Sequence, residues 1–259
     1  MESISESIKN ILAVLVNYGT EQLNYLEQVV SELKSFKKYD VSIIVNSNIP
    51  LEIEGIDQVN VIELEDYQLL PLTCRQVIWD HKDDFDIFLF GENDHLFKEH
   101  HIDKHLEYLK IIPEDRITGL IQYEQIKNQI YFPAWHAHYD WDYNNIEEYG
   151  GKKFAHFTNL HQATFILTKE QLDKIGKIYD FTNFFKGSHH SKYSCKCLVN
   201  TEIYEYGGMK KIICVSDFDE NLIHHLPNKY IEYTPFLKRF PKENHKDKIE
   251  EALNKILEP

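Results

Sequence analysis

Two carboxylates stand two residues apart in Glu92-Asn93-Asp94, directly after the apolar run that begins at Ile87. Side chains two residues apart in an extended segment point to the same side, so Glu92 and Asp94 can share one divalent cation through oxygen ligands. A cation held there would neutralise a diphosphate leaving group. The alternative is a solvated acidic turn, and a motif this short does not decide between the two.

Histidines offer further metal ligands. His136 and His138 form an H-x-H pair, and His224 and His225 are adjacent in an apolar segment that ends at Pro227. Imidazole combined with carboxylate, with coordination positions left open, suits manganese at least as well as magnesium. An H-x-H pair without a third ligand is more often incidental than functional.

Aromatic residues are concentrated in residues 133–149, which are predicted to form a loop. Sugars present apolar C–H faces that stack on aromatic rings, while aspartate and histidine hold sugar hydroxyls. The loop therefore predicts an acceptor site, with the candidates Trp135, His136, His138, Asp140 and Trp141. The alternative is that these aromatic side chains cover the sheet, since aromatic residues supply much core area.

The composition excludes several classes of protein. The chain has 259 residues, 28 basic and 42 acidic, which gives a net charge of −14 and argues against a nucleic-acid or anionic-membrane binder. Hydrophobic residues at 42% exclude a disordered chain. No apolar run approaches the roughly 18 residues of a membrane span, and no basic leader precedes the first apolar run. The 4 cysteines are too few for a disulfide scaffold. We therefore expect a cytoplasmic protein.

The elements that must position these residues alternate between apolar runs and amphipathic stretches. Strands are predicted at residues 11–16, 41–45, 59–64 and 86–90, and helices at residues 21–36, 71–81 and 98–110. Thr20 is predicted as the N-cap of the first helix. This order predicts a parallel sheet, and such sheets bind ligands beyond the carboxyl ends of their strands. The polar residues at those ends are Asn17, Asn46 and Glu92-Asn93-Asp94.

The second half of the chain has shorter apolar runs. A pair of strands is predicted at residues 117–123 and 129–132, and further elements are a strand at 164–167, a helix at 169–178, a strand at 212–215 and a helix at 246–257. We expect a single two-part domain over residues 1–259. Its parts are a first half (about 10–115), a second half (about 116–235) and a helical tail (236–259).

The order of these motifs resembles the GT-A glycosyltransferases, in which an apolar strand ends in an acidic motif after two Rossmann-like units. Further matching segments are Leu70-Pro-Leu-Thr-Cys-Arg75, the stretch from His161 to Leu172, and Leu222-Ile-His-His-Leu-Pro-Asn-Lys-Tyr230. The resemblance covers roughly residues 10–232. It implies that the first half (about 10–115) is the nucleotide-sugar-binding half and the second (about 116–235) the acceptor-binding half. It implies a mixed, mostly parallel α/β sheet flanked by helices, a UDP- or GDP-sugar donor, a glycan acceptor and a divalent cation, manganese or magnesium.

The resemblance also implies roles for individual residues. Asp94 matches the main metal ligand, Glu92 a group near the metal or the ribose, and His224-His225 the late histidine that relatives supply to the metal. Asn93 stands where some relatives have an acid. The residues that match the donor site are Val16, Asn17, Tyr18, Thr20, Asn46, Glu92 and Asn93.

Phosphate contacts and a catalytic base have separate candidates. Arg75 offers a planar, always charged fork that suits a diphosphate, with a surface ion pair as the equal alternative, and Lys229 is a second phosphate candidate. If transfer inverts the anomeric centre, a carboxylate must take the acceptor proton. Family order places Glu202, which we favour, or Asp217 in that role, whereas a retaining enzyme needs no such base.

Three functions remain open from sequence. The first is a metal-dependent glycosyltransferase. The second is a metal-dependent phosphohydrolase or nucleotidyltransferase using the same acids, although a nucleotidyltransferase would normally have a glycine-rich basic loop where Asn17-Tyr18-Gly19-Thr20 stands. The third is a non-catalytic sugar-binding protein of the same fold. The oligomeric state is not indicated.

Overall fold

The structure is a computed structural model that describes residues 9–132, 141–157, 159–184, 193–228 and 246–258. Within these ranges the strands are β1 (Lys9–Asn17), β2 (Tyr39–Ser47), β3 (Gln58–Val61), β4 (Ile87–Glu92), β5 (His95–Leu96), β6 (Arg116–Thr118), β7 (Ile121–Ile126), β8 (Gln129–Tyr131), β9 (Trp141–Tyr149), β10 (Lys152–Phe157), β11 (Thr164–Thr168), β12 (Lys210–Cys214) and β13 (Leu222–His225). The helices are α1 (Leu23–Lys34), α2 (Leu70–Asp80), α3 (Glu99–Leu109), α4 (Lys169–Ile178), α5 (Leu198–Glu205) and α6 (Lys246–Leu257). The chain is therefore a mixed α/β protein, as predicted.

A five-stranded sheet with the order β11-β4-β1-β2-β3 forms the centre of the fold. Strands β1 to β4 are parallel, whereas β11 runs antiparallel to β4. β1 is an unbroken apolar run because both faces of the sheet are covered. Helices α2, α4 and α5 pack on one face, and α1 and α3 pack on the other. Because β11 pairs with β4, the two predicted halves of the chain share this sheet.

Helix α1 begins later than the sequence predicts. Thr20 is not its N-cap; Gln22 occupies that position and makes no capping bond with its side chain. Gly19 takes a left-handed backbone conformation (φ 68°), which carries the chain through a turn before the helix begins. The Gln22 side chain instead donates to an Asp94 carboxylate oxygen at 2.9 Å. The start of α1 is thus tied to the acidic strand end.

The described strands form two further sheets in addition to the central one. One has the order β6-β12-β10-β9 and the other β5-β13-β7-β8. The predicted strand 117–123 is divided into β6 and β7 at Gly119, where any side chain would overlap Gln162 and Lys211. Apart from β11, the later strands pair mainly with one another and not with the central sheet.

The predicted loop at residues 133–149 is a strand over its second part. β9 forms a hairpin with β10, and Gly150 and Gly151 both take positive φ at the turn. Such a glycine pair is a hairpin signal that fixes the register of the two strands. The loop prediction was therefore wrong for 141–149, while 133–140 lies outside the described residues.

The terminal helix α6 packs its apolar side on the second sheet, through Ile249, Ala252 and Ile256. The Lys153 ammonium donates to the carbonyl groups of Ile256 and Glu258 at 3.0 and 2.9 Å, so it satisfies the carboxyl end of the helix. None of the helices in the described ranges is both long and apolar enough to cross a membrane.

Candidate metal centre

Polar side chains from three strands meet at the carboxyl edge of the central sheet. In register, Val16 lies opposite Asn46 on one side and Glu92 on the other. The Asn93 side chain donates to the Asn17 side-chain oxygen at 2.7 Å, and the Asn17 amide donates to the Ser47 hydroxyl at 3.2 Å. The prediction that these strand ends converge is confirmed.

An acidic and imidazole cluster lies at this edge. One ligand atom each from Glu92, Asp94 and His95 lie within 4.8 Å of one another. His95 Nδ1 is 2.8 Å from one Asp94 oxygen, and His225 Nε2 is 3.4 Å from the other. Asp94 and His95 are 3% and 1% exposed, so these side chains are held away from bulk water. We refer to Glu92, Asp94, His95 and His225 as the metal cluster.

The third sheet explains which of the adjacent histidines reaches the cluster. His225 lies opposite His95, whereas His224 lies opposite Leu96 and Tyr123. Because side chains alternate along a strand, the two imidazoles occupy opposite faces. The His224 ring stacks on Tyr123 with centroids 4.9 Å apart. His225 is therefore the cluster residue, and the pair does not act together.

Sequence reasoning missed two residues here. His95 follows Asp94 directly, so its proximity to the acids was visible in the sequence. Glu124 gave no local signal, because strand pairing across about a hundred residues brings it to His225. Glu124 Oε1 accepts from His225 Nδ1 at 2.6 Å, and Glu124 is 0% exposed.

The pKa values of the cluster residues depend on both burial and neighbouring charges. Burial and the Asp94 charge raise the pKa of Glu92. Burial would also raise the pKa of Asp94, but hydrogen bonds and charges from His225 and His95 outweigh it and hold that pKa well below its usual value. Burial would lower the pKa of His225, yet Asp94 and Glu124 raise it to about 9. His225 is thus a cation between two carboxylates at neutral pH, and a metal ion bound there would displace its proton.

The donor set of the cluster fits a divalent transition metal. It offers carboxylate oxygens and imidazole nitrogens, which together suit manganese and its neighbours better than a purely oxygen-seeking cation. Among the described residues, His95 Nε2 is buried and has no hydrogen-bond partner. A buried nitrogen without a partner is costly unless something else binds it. Of the predicted metal ligands, Glu92 and Asp94 lie together with His95, and His225 lies beside Asp94.

Arg75 and Glu202 are placed together and away from any exposed site. Arg75 Nη1 lies 2.6 Å from Glu202 Oε2, and both side chains are 1% exposed. Arg75 also donates to the carbonyl groups of Leu198 and Val199, while Tyr179 donates to Glu202 at 2.6 Å. The fork of Arg75 therefore fastens α2 to α5. This arrangement does not support Arg75 as a phosphate ligand or Glu202 as a catalytic base.

Asp217, the other candidate base, faces a group of cations. Its carboxylate lies 2.6 Å from Lys152 Nζ and 3.5 Å from Lys104 Nζ, and it accepts from the Tyr108 hydroxyl at 3.1 Å. Although burial acts in the opposite direction, hydrogen bonds from Lys152 and Tyr108 and the charges of Lys152 and Lys104 lower the pKa of Asp217. An ionised, paired carboxylate of this kind is a weak proton acceptor.

The remaining donor candidates differ in how accessible they are. The Asn46 amide is fully buried; it donates to the Thr73 hydroxyl and accepts from Asn60. Tyr18 is 60% exposed beside Tyr67, with ring centroids 5.4 Å apart. Thr20 is also exposed at this edge. Tyr18 and Thr20 are accessible to a ligand, whereas Asn46 holds strands and helix together.

Most of the predicted acceptor-binding residues cannot be placed at the site. Trp135, His136, His138, Asp140 and the phosphate candidate Lys229 lie outside the described residues. Trp141 is described; it is 4% exposed and packs on Phe157 with centroids 5.0 Å apart. For Trp141 this packing favours the core role over acceptor stacking.

A buried lysine lies in the acceptor half. Lys211 Nζ donates to the Asn159 carbonyl at 2.7 Å and lies 5.6 Å from the Phe157 ring centroid. Burial lowers the pKa of Lys211 to about 7. Burial, followed by the charges of Lys211 and His95, lowers the pKa of His161 to about 3. No local pattern around Lys211 indicates that this lysine is buried.

Comparison of the chain with protein-family models and with curated proteins found no match in either case.

Proposed function

We propose that this protein is a metal-dependent glycosyltransferase of the GT-A type, which moves a sugar from a nucleotide-sugar donor to a hydroxyl acceptor. The observation that carries the proposal is the juxtaposition of the metal cluster with the ends of β1 and β2. In parallel α/β sheets this edge binds nucleotides. A chain of charge −14 would repel a diphosphate, so donor binding at this acidic edge requires a counter-charge.

Different residues of the chain would bind the cation and the nucleotide. Asp94, Glu92 and His225 would hold the cation, with Asn93 and Asn17 fixing the turn that carries the acids. Manganese, or magnesium, would supply charge neutralisation for the departing diphosphate. Val16, Asn17, Tyr18 and Thr20 border the nucleotide side. The exposed ring of Tyr18 offers a stacking surface for the base.

The donor is a UDP- or GDP-sugar and the acceptor a glycan. The cytoplasm is the proposed location. Neither Glu202 nor Asp217 acts as the base in this proposal, because each carboxylate is already paired with a cation. A mechanism that needs no separate protein base is thereby favoured.

The test is calorimetry of UDP- and GDP-sugars with and without Mn²⁺, on the wild type and on Asp94→Asn. The variant keeps the size of the side chain and removes its charge. We expect metal-dependent donor binding in the wild type. In Asp94→Asn that binding should weaken at least about tenfold and transfer should be largely lost, in a variant that circular dichroism shows to be folded at the assay temperature.

Glu148→Gln is the control variant, because Glu148 is exposed on β9 and also loses one negative charge. Equal donor binding by the wild type and Asp94→Asn, with no need for metal, would reject the proposal. Metal-dependent release of phosphate from a phosphate ester, without sugar transfer, would instead favour a phosphohydrolase at the same cluster.

A further inference from the structure

Glu124 contacts the metal cluster through His225, at the ring nitrogen that faces away from Asp94. It lies on β7, is 0% exposed, and accepts a hydrogen bond from His225 Nδ1 at 2.6 Å. A fully buried carboxylate is costly unless it is paired. The pairing fixes the His225 ring, since one ring nitrogen is held by Glu124 and the other points to Asp94 at 3.4 Å.

This arrangement also selects a tautomer. With Nδ1–H donated to Glu124, the lone pair of neutral His225 resides on Nε2, the nitrogen that faces the acids. Carboxylates that orient histidines in this way raise the basicity of the ligating nitrogen and strengthen metal binding. Glu124 therefore acts on a metal through His225 and not by direct contact.

His95 provides a second imidazole at the same place. Its ring lies beside that of His225, with centroids 5.1 Å apart, and its Nε2 is buried without a hydrogen-bond partner among the described residues. The cluster thus offers two carboxylates and two imidazoles from the protein. Four protein ligands are as many as closed structural metal sites use.

We propose that Glu124 is a positioning residue that orients His225, and that the protein alone holds a transition-metal ion through Glu92, Asp94, His95 and His225 before any nucleotide binds. This inference rests on the metal centre of the proposed function, but not on sugar transfer. It predicts a resident cation that does not have to arrive with the donor diphosphate.

The experiment titrates Mn²⁺, Co²⁺ and Mg²⁺ into the full, nucleotide-free chain by calorimetry, and follows Co²⁺ by its visible absorption. We expect one Co²⁺ or Mn²⁺ per chain, with Mg²⁺ much weaker because it prefers oxygen ligands. Glu124→Gln and His95→Gln should each weaken the metal affinity by about 10- to 100-fold. Glu148→Gln, on the exposed side of β9, should bind as the wild type does.

A second measurement does not depend on any variant remaining folded. In ¹⁵N-labelled protein with saturating Zn²⁺, His225 should show metal at Nε2 and a proton on Nδ1. Metal at Nδ1, or a doubly protonated His225, would overturn the positioning role. Unchanged metal affinity in a folded Glu124→Gln variant would overturn it as well.

The two proposals fail in different ways. If Mn²⁺ and Co²⁺ bind only when UDP or GDP is present, the resident metal centre is refuted, while glycosyl transfer can still stand. If the metals bind alone but no nucleotide sugar binds or reacts, the resident centre stands and the transferase proposal fails.

Discussion

The role inferred for Arg75 changes once its surroundings in the structure are known. With only 3 arginines in the chain, a fork ahead of the acidic strand suggested a diphosphate ligand. In the structure it is a buried link between α2 and α5 that is matched by Glu202. Its position in the sequence suited both roles equally, and only burial distinguishes them.

We therefore expect Arg75→Met to lower the free energy of unfolding by about 3–5 kcal/mol, because it leaves the buried Glu202 carboxylate without its cationic partner. The double variant Arg75→Met/Glu202→Leu should recover part of that loss, since no uncompensated charge remains. Urea denaturation of the three proteins measures both effects. A variant of normal stability with weakened nucleotide binding would restore Arg75 as a phosphate ligand.

Lys211 predicts a dependence of stability on pH. Its pKa is about 7 in the folded chain and 10.5 ordinarily. A lysine with a depressed folded pKa destabilises the fold fully below the folded value, and this cost decreases as pH rises from 7 toward 10.5. Lys211→Met removes the charge, so we expect it to raise the free energy of unfolding at pH 7 by roughly 1–3 kcal/mol.

Urea denaturation at pH 7 and pH 10 tests this, with the exposed neighbour Lys210→Met as the control. The stabilisation by Lys211→Met should shrink at the higher pH. If the variant is less stable than the wild type at pH 7, the hydrogen bond to Asn159 outweighs the desolvation of the ammonium.

At the scale of elements, the helices with strong local signals were predictable. α4 spans Lys169–Ile178 as predicted, because Thr168 and Gln171 form a capping box at its start. β1 was equally clear from its apolar run. The hairpin β9–β10 was missed because β9 is rich in exposed polar residues and depends on pairing for its structure.

In the candidate site, too, some residues were predictable from local sequence and others depend on strand pairing. Glu92 and Asp94 are neighbours in sequence, and the approach of this acidic strand end to Asn17, through Asn93, followed from strand order. The choice between His224 and His225, and the presence of Glu124, depend on the register between β7 and β13. That register is set by contacts about a hundred residues apart, which no local pattern encodes.

Helix α4 fits against α2 at a glycine. A Cβ atom at Gly176 would overlap the ring of Trp79. We expect Gly176→Ala to lower the free energy of unfolding by roughly 1–2 kcal/mol, because overpacking exceeds the gain in helix propensity of about 1 kcal/mol. Thermal or urea denaturation measures the change, and the exposed neighbour Lys177→Ala should have little effect. A stabilised Gly176→Ala would mean that Trp79 moves at little cost.

At the scale of the whole molecule, the net charge of −14 bears on how fast an anionic donor can approach. Long-range repulsion slows association, and salt screens it over a Debye length of about 10 Å at 0.1 M. The association rate of the metal-loaded protein with a nucleotide sugar should therefore rise roughly two- to fivefold between about 20 and 150 mM salt. Stopped-flow fluorescence tests this, with the uncharged nucleoside as the insensitive control. A rate that falls with salt would indicate a locally positive approach path.

Strand β13 carries an imidazole on each face. A shift of its pairing register would therefore keep a metal ligand near the acids, although it would disrupt the packing of the strand. A shift of one residue along β7 would turn His224 toward Glu124, so a histidine would still reach the acids. The same shift would remove Ile223, which is 0% exposed, from the core beneath the sheet. Misregistered chains would therefore be eliminated during folding by lost apolar contact, even though their metal ligands are nearly intact.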